Sequence, residues 1–304
     1  MNCIPHITLR TVVDFAKCSL KTTAPTKGHT IRDRTWVYAE PQDEGPGKTA
    51  SVFDLKLHDP KSYAYLMGET GRVTRVLRED GDHRAAIELA APIELTMLEI
   101  SQDAYFENAT VYQLAEILTG RFRAWTRAPI HAWYFYRRKG EGRIYLDTIL
   151  TRREIVRLFA ANWTLTDCND KSAVNRARLY VKWTDGMNAL QPHEWRARLE
   201  VTLQGDALPC TLESLQCFAF TKLAPMFSYR KLAPDLYPAA HQAMSVWSGD
   251  QFGRCGQYRR PSAIYGKYRN TNKSRCGTVA DDAANEASYQ AFRALTTQWK
   301  GRKA

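Results

Sequence analysis

Two stretches of the chain alternate apolar and polar residues without interruption, and this pattern constrains the fold more than any other feature. They are "RARLYVKW", Arg176–Trp183, and "WRARLEVTLQ", Trp195–Gln204. A period of two residues predicts β-strands, each with one apolar and one polar face. The predicted polar faces carry Arg176, Arg178, Tyr180 and Lys182 on the first strand, and Arg196, Arg198, Glu200 and Thr202 on the second.

The polar faces have two interpretations. A solvated sheet surface often carries cross-strand ion pairs and a tyrosine, and both strands fit that description. Alternatively, Tyr180 is a nucleophile directed at a phosphate. A phenol has a pKa of about 10, and it becomes a credible nucleophile when cations stabilise the phenolate and a divalent metal polarises the phosphate. The cations near it in this pattern are Arg178, Lys182 and Arg198.

Carboxylates suited to such a metal occur on two predicted strands. Mg²⁺ and Mn²⁺ prefer oxygen ligands, and the acids at suitable places are Glu99, Asp103 and Glu200. Glu99 and Asp103 are four residues apart, which is about 13 Å along a straight strand and too far to share one ion. We therefore favour Glu99 and Glu200 as ligands, and Asp103 joins them only if the chain bends near residues 101 and 102.

Most of the remaining chain follows one theme, a strand and then a helix. Further strands are expected at 51–58 and 92–101, with a hairpin formed by 131–138 and 142–149. Helices are expected from Asp59-Pro60 to Gly68 and at 110–120, 151–162, 211–223 and 281–299. The fold class is therefore α+β, with antiparallel-leaning sheets that carry helices on one face.

Two of the units look alike and suggest a domain organisation. "MLEIS" before one helix matches "RLEVT" before another, which places Glu99 and Glu200 at corresponding positions. Two similar strand–helix subdomains could bring such residues face to face. We expect an irregular N-terminal arm over 1–50, with one short strand at 35–39, a catalytic core over 51–235, and a basic C-terminal segment with a terminal helix over 236–304.

The charge of the chain indicates a polyanionic partner. There are 43 Lys and Arg residues against 32 acids, a net charge of +11, and this excess favours nucleic acid, although charge also serves solubility. Two segments combine cations with aromatic rings, 120–139 and 253–275; the alternatives are a core-facing hairpin for the first and a flexible linker for the second. The predicted DNA contacts are Arg121, Arg123, Arg137, Arg138, Arg259, Arg260, Lys267 and Arg269.

Other classes of protein are disfavoured. The chain has no run of eighteen apolar residues, and its first 21 residues lack the apolar region of a signal peptide. The seven cysteines are scattered without a CxxC pair, which supports neither a zinc site nor a disulfide framework. We expect a cytoplasmic protein with no membrane contact.

The segment "TLTDCNDKSAVNRARLYVKWTDG…EWRARLEVTLQG" resembles the core of the replication-initiation-factor family of rolling-circle nickases, found on plasmids, filamentous phages and related conjugative elements. The similar family pattern is a strand with a Tyr between an arginine and a lysine, then "WhRhEhxhxG", where h is apolar. The strand Thr96–Asp103 is similar to an upstream family strand, with Met97 and Glu99 where the family usually has Arg and Asp. The other large class of nickases uses a His-hydrophobic-His metal site, and no such pair occurs among the seven histidines.

The resemblance implies an enzyme that starts rolling-circle replication by nicking DNA. Tyr180 would attack a phosphodiester at an origin, remain joined to the 5′ phosphate and release a 3′ hydroxyl. Glu99 and Glu200, with Asp103, would hold Mg²⁺ or Mn²⁺, and Arg178, Lys182 and Arg198 would stabilise the charge. The implied partners are double-stranded origin DNA, single-stranded or hairpin DNA, a host helicase and a second copy of the chain. The alternative is a non-catalytic DNA-binding protein on the same scaffold.

Overall fold

The structure is a computed structural model, and it describes most of the chain. The described residues are 7–79, 85–120, 122–124, 134–137, 142–145, 150–166, 175–185, 188–232, 246–247 and 278–300. The expected class is confirmed, because helices accompany a large antiparallel sheet. None of the helices within these ranges has the length and apolar character needed to cross a membrane.

The chain divides into two compact units. The first comprises Met1–Thr11, Ser101–Val201 and Phe220–Arg293, and the second comprises Val12–Ile100, Thr202–Ala219 and Ala294–Ala304. The helices are α1 Gly28–Thr35, α2 Tyr63–Arg78, α3 Val111–Gly120, α4 Arg152–Ala160 and α5 Asp282–Lys300. The strands are β1 Thr8–Lys27, β2 Tyr38–Pro41, β3 Thr49–His58, β4 Glu94–Tyr105, β5 Phe122–Ala124, β6 Tyr134–Tyr136, β7 Arg143–Tyr145, β8 Leu150–Thr151, β9 Thr164–Thr166, β10 Asn175–Lys182, β11 Thr184–Asp185, β12 Asn188–Ala189, β13 Arg196–Gln204, β14 Phe227–Leu232, β15 Val246–Trp247 and β16 Thr278–Ala280.

In the second unit the strand order is β2-β3-β1-β4. The alternation predicted for 51–58 appears as β3, whose Phe53, Leu55 and Leu57 are buried. β3 pairs antiparallel with β1 from Phe15 opposite His58 onward. Burial of every second side chain removes apolar surface from water, which stabilises a sheet with one inward face.

The helix expected to end at Gly68 instead runs from Tyr63 to Arg78 as α2. Ser62 caps it by accepting a hydrogen bond from the Tyr65 backbone N–H at 3.1 Å. Each internal glycine costs about 1 kcal/mol relative to alanine. The buried stripe formed by Leu66, Thr70, Val73 and Leu77 outweighs that cost, and the sequence prediction overlooked it.

In the first unit the strand order is β4-β13-β10-β9-β6-β7. The predicted hairpin is present, with β6 and β7 antiparallel and Phe135 opposite Ile144. The predicted helices α3 and α4 contact each other and β10. Their apolar residues fill the core: the Phe135 and Phe159 rings meet edge-on with centroids 5.1 Å apart.

Two further local predictions were wrong. Residues 22–49, expected to be irregular around one short strand, contain the end of β1, then α1 and β2. β-branched Thr22, Thr23 and Thr26 favour the extended conformation. The helix expected at 211–223 is replaced by two 3₁₀ turns, Ser214–Cys217 and Phe220–Met226. The buried residues there, Leu212, Leu215 and Phe218, recur every three residues, which is the period of a 3₁₀ helix.

Candidate active site

The strands that carry the candidate site form as the alternation predicts. On β10, Ala177, Leu179 and Val181 are buried, so Tyr180 lies on the opposite, polar face. On β13, the apolar Leu199, Val201 and Leu203 are fully buried. The polar face of β13 is also buried, with Arg198 and Glu200 only 2% exposed each. A solvated sheet surface therefore does not describe β13, and its charged groups must be satisfied by protein partners.

Tyr180 is paired with Glu200. The phenol hydroxyl donates a hydrogen bond to Glu200 Oε1 at 2.5 Å. Burial, followed by the negative charge of Glu200, raises the pKa of Tyr180 well above its usual value, and the charges of Arg198 and Arg178 oppose the shift. The phenol is therefore protonated at neutral pH in the metal-free protein, and Glu200 is the carboxylate placed to accept its proton.

Two arginines contact the same carboxylate. Arg178 Nη2 lies 2.7 Å from Glu200 Oε2, and Arg198 Nη1 lies 3.5 Å from Oε1. Arg178 is about one-third exposed, whereas Arg198 is buried. Two cations offset the cost of burying the Glu200 charge, and Arg178 is also open to solvent and to a ligand.

Asp103 contacts two arginines of β13, Arg196 and Arg198. Arg198 binds it through two hydrogen bonds, Nε to Oδ1 at 2.6 Å and Nη2 to Oδ2 at 2.7 Å. Arg196 Nε lies 3.1 Å from Oδ2, and the Tyr105 hydroxyl donates to the same oxygen at 3.3 Å. Burial and the charge of Asp103 raise the pKa of Tyr105 to about 12. Both oxygens of Asp103 thus face cations, and its predicted role as a metal ligand stays a prediction.

Two acids on neighbouring strands could bind a metal ion together. They are Asp14 on β1 and Glu99 on β4, and one carboxylate oxygen of each lies within 4.8 Å of the other. Glu99 is buried and Asp14 is half-buried. Two carboxylates so close repel each other, and a divalent cation with oxygen ligands would offset that repulsion. The predicted role of Glu200 as a metal ligand stays a prediction. The Thr202 hydroxyl donates to Glu99 Oε2 at 2.8 Å and orients that carboxylate.

The other predicted site residues make contacts of their own or lie outside the described part. Lys182 forms an ion pair with Asp185 at 3.1 Å, which lowers the pKa of Asp185. Arg137 donates to the Ala161 carbonyl, with distances of 2.8 and 3.2 Å, and lies over the Trp163 ring. Arg123 lies on β5, and its side chain is not described. Outside the described residues are Arg121, Arg138, Arg259, Arg260, Lys267 and Arg269.

Sequence reasoning missed Asp14, Tyr105 and the contact of Arg196 with Asp103. Asp14 was overlooked because the N-terminal segment was expected to be irregular. The signal was available, since the buried Ala16, Cys18 and Leu20 recur at every second position of β1 and Asp14 lies two residues before Ala16. Tyr105 lies two residues after Asp103, on the same face of β4.

The sequence matches no family model and no curated protein. Among solved structures, the chain is similar to a rolling circle replication initiator protein from Geobacillus stearothermophilus, with 10% identity and a TM-score of 0.35. That alignment covers 76% of this chain and 91% of the other. An aspartate kinase from Synechocystis aligns with 9% identity and a TM-score of 0.18, covering 98% of this chain and 57% of the kinase. Both similarities are distant, and neither identifies the activity of this chain.

Proposed function

We propose that the chain is a metal-dependent, sequence-specific DNA nicking-closing enzyme that initiates rolling-circle replication of a plasmid or phage. The observation that carries the proposal is the hydrogen bond from the Tyr180 hydroxyl to Glu200, with Arg178 and Arg198 on the same carboxylate. A nucleophile, a proton acceptor and two cations within contact distance are the components that phosphoryl transfer to a tyrosine requires.

The proposed reaction exchanges one phosphodiester for another. Glu200 accepts the proton of Tyr180 while the phenolic oxygen attacks phosphorus. The bond from phosphorus to the 3′ oxygen breaks, and that oxygen takes a proton and leaves as a 3′ hydroxyl that a polymerase can extend. The 5′ phosphate stays joined to Tyr180, and attack by a 3′ hydroxyl in the reverse direction closes the strand. Arg178 and Arg198, with Lys182, stabilise the negative charge that develops on the phosphate oxygens.

Carboxylates support a divalent metal in this proposal. Asp14 and Glu99 offer the oxygen ligands that Mg²⁺ and Mn²⁺ prefer, and Glu200 is the further ligand that we propose. A bound metal would polarise the scissile phosphate and favour the ionised form of a nearby phenol. Asp103 would act mainly by fixing Arg198, because its oxygens already bind that guanidinium.

The proposed partners follow from charge and reaction type. Origin DNA in double-stranded form and single-stranded or hairpin DNA are the substrates, and Arg137 with the other predicted basic residues would grip the phosphate backbone. We further propose that the protein acts in the cytoplasm, with a host helicase and a second copy of the chain as candidate partners.

A non-catalytic DNA-binding protein on the same scaffold is the second candidate. The raised pKa of Tyr180 favours it, because a protonated phenol is a poor nucleophile. In that case Tyr180, Glu200 and Arg178 would form a buried polar cluster that only stabilises the sheet.

Nicking of supercoiled DNA separates the two candidates. Supercoiled plasmids carrying candidate origins are incubated with the protein and Mn²⁺, and relaxed product and covalently attached protein are measured beside a mobility shift. The nickase proposal predicts that Tyr180→Phe abolishes nicking and changes DNA affinity by no more than about threefold, since one hydroxyl is lost. A wild-type protein that shifts the DNA without cutting it supports the second candidate.

A further inference from the structure

A tryptophan at the end of α1 occupies an unfavourable position for its type. Trp36 follows the last residue of the helix with φ 57° and ψ 18°, in the left-handed region. Its backbone N–H closes the helix by donating to the Arg32 carbonyl at 2.7 Å. This is the helix-ending position at which glycine is common, because a side chain there is strained. Local backbone structure therefore disfavours tryptophan at residue 36.

Packing does not explain Trp36 either. Its side chain is 89% exposed, the largest exposure among the exposed large hydrophobic residues in the described part of the chain. A tryptophan in solvent forfeits the stabilisation that burial of its large apolar surface would give. A residue that is both strained and exposed, with no folding benefit, indicates a functional contact.

A second exposed ring lies in the same surface pocket. Trp36 and Tyr38, which is 50% exposed, line an open pocket of about 560 Å³ together with Arg32 and Asp33. Tyr38 lies opposite Lys56 on the neighbouring strand, and the Lys56 ammonium is 4.8 Å from the centre of its ring. β2 ends the strand order of the second unit, so this ring lies on its edge strand.

The charges around the rings suit a phosphate backbone. Arg32 is more than half exposed, and its pair with Asp33 at 3.5 Å is equally open to water, so a phosphate can replace Asp33 at little cost. The Lys56 ammonium also forms an ion pair with Glu40, with Nζ 2.8 Å from Oε2. The chain as a whole carries a charge of +11, which attracts polyanions.

We propose that Trp36 and Tyr38 form a stacking surface for unpaired bases of single-stranded DNA, with Arg32 contacting the adjoining phosphate. Exposed rings beside cations bind single strands because every base has a face that stacks, whereas paired bases in a duplex keep their faces inside the helix. This inference rests on the proposed function, in which single-stranded DNA is a substrate, and it adds a binding surface that assigns no role to Tyr180.

Equilibrium binding without divalent metal tests this proposal. The probes are a fluorescently labelled twelve-nucleotide thymidine strand and a duplex of the same length, measured by anisotropy in EDTA. Trp36→Gly removes the ring, and glycine suits the left-handed backbone, so the variant should fold with an unchanged or higher melting temperature. Its affinity for the single strand should fall about 5- to 150-fold, the range for one stacked base, with less change for the duplex.

Controls make the result specific to stacking. Trp36→Phe keeps an aromatic face and should stay within about fivefold of wild type. Tyr112→Ala removes another exposed ring, on α3, and should leave affinity unchanged. This binding is measured without divalent metal and without strand cleavage, so failure of the nicking proposal and failure of this one are distinguishable. Equal single-strand affinity for wild type and Trp36→Gly overturns the inference, and a loss of self-association in that variant with unchanged affinity assigns the surface to a second copy instead.

Discussion

Arg198 binds both carboxylate oxygens of Asp103, at 2.6 and 2.7 Å, and both side chains are buried. The same guanidinium lies 3.5 Å from Glu200, the acceptor of the Tyr180 hydroxyl. Arg198 therefore connects the Asp103 carboxylate to the acceptor of the candidate nucleophile. Charges removed from water in this way are stable only while every partner is present, which makes the cluster sensitive to single substitutions.

Loss of Asp103 should destabilise the protein strongly. Asp103→Asn removes the carboxylate that accepts two hydrogen bonds from the buried Arg198, and breaking a buried pair costs about 3–5 kcal/mol. The free energy of unfolding, measured with urea, should fall by that amount. Asp185→Asn is the matched control, because it removes an exposed partner of Lys182 and should cost less than about 1 kcal/mol. Equal effects of the two substitutions would show that the Asp103 pair is not stabilising.

The pH dependence of the free energy of unfolding should show that the pKa of Tyr180 is raised in the folded protein. Its folded-state pKa is raised well above the unfolded value of about 10. The stability this provides is complete below pH 10, and it is lost as pH rises towards the folded pKa, because only the unfolded phenol ionises. Wild type should therefore lose stability faster than Tyr180→Phe between pH 10 and 11, by up to about 1.4 kcal/mol per pH unit. Parallel curves would contradict a raised pKa.

Glu200→Gln should have opposite effects on nicking and on the ionisation of the Tyr180 phenol. The amide cannot take the phenol proton, so nicking in Mn²⁺ should fall by about 10²- to 10⁴-fold at neutral pH. The charge that helps to raise the pKa of Tyr180 is also removed, so phenolate absorbance at 295 nm should appear at lower pH than in wild type. Nicking within fivefold of wild type would exclude Glu200 as the base.

Thr202→Val should weaken metal binding without touching a ligand atom. The substitution keeps the shape of the side chain but removes the hydrogen bond to Glu99 Oε2. Loss of such an orienting contact lowers metal affinity by about 10- to 100-fold. Titration calorimetry with Mn²⁺ measures the change. Thr166→Val, which removes a buried hydroxyl bonded to the Ala177 carbonyl, is the control and should leave affinity unchanged.

The strands of the candidate site were predictable because their alternation is strict. Tyr180 and Glu200 fall on polar faces that the pattern alone assigns, and their apolar neighbours are buried as expected. The burial of the polar face itself was not predictable, since a period of two residues does not say what covers the second face. The alternation around Asp14 was visible in the sequence, but its position near Glu99 was not predictable, because that depends on the long-range pairing of β1 with β4. The exposed position of Trp36 follows from its positive φ of 57°, and no sequence pattern predicts that angle for a tryptophan.

Mass spectrometry of the protein–DNA adduct is the most direct test of the proposed chemistry. The protein is incubated with Mn²⁺ and a plasmid carrying the cognate origin, the DNA is digested with nuclease, and the protein is cleaved with trypsin. Cleavage after Arg178 and Lys182 releases a peptide that spans residues 179–182. A nucleotide joined through its 5′ phosphate to Tyr180 in that peptide is the predicted result. A covalent adduct on any other residue, or relaxed plasmid with no adduct, would contradict Tyr180 as the nucleophile.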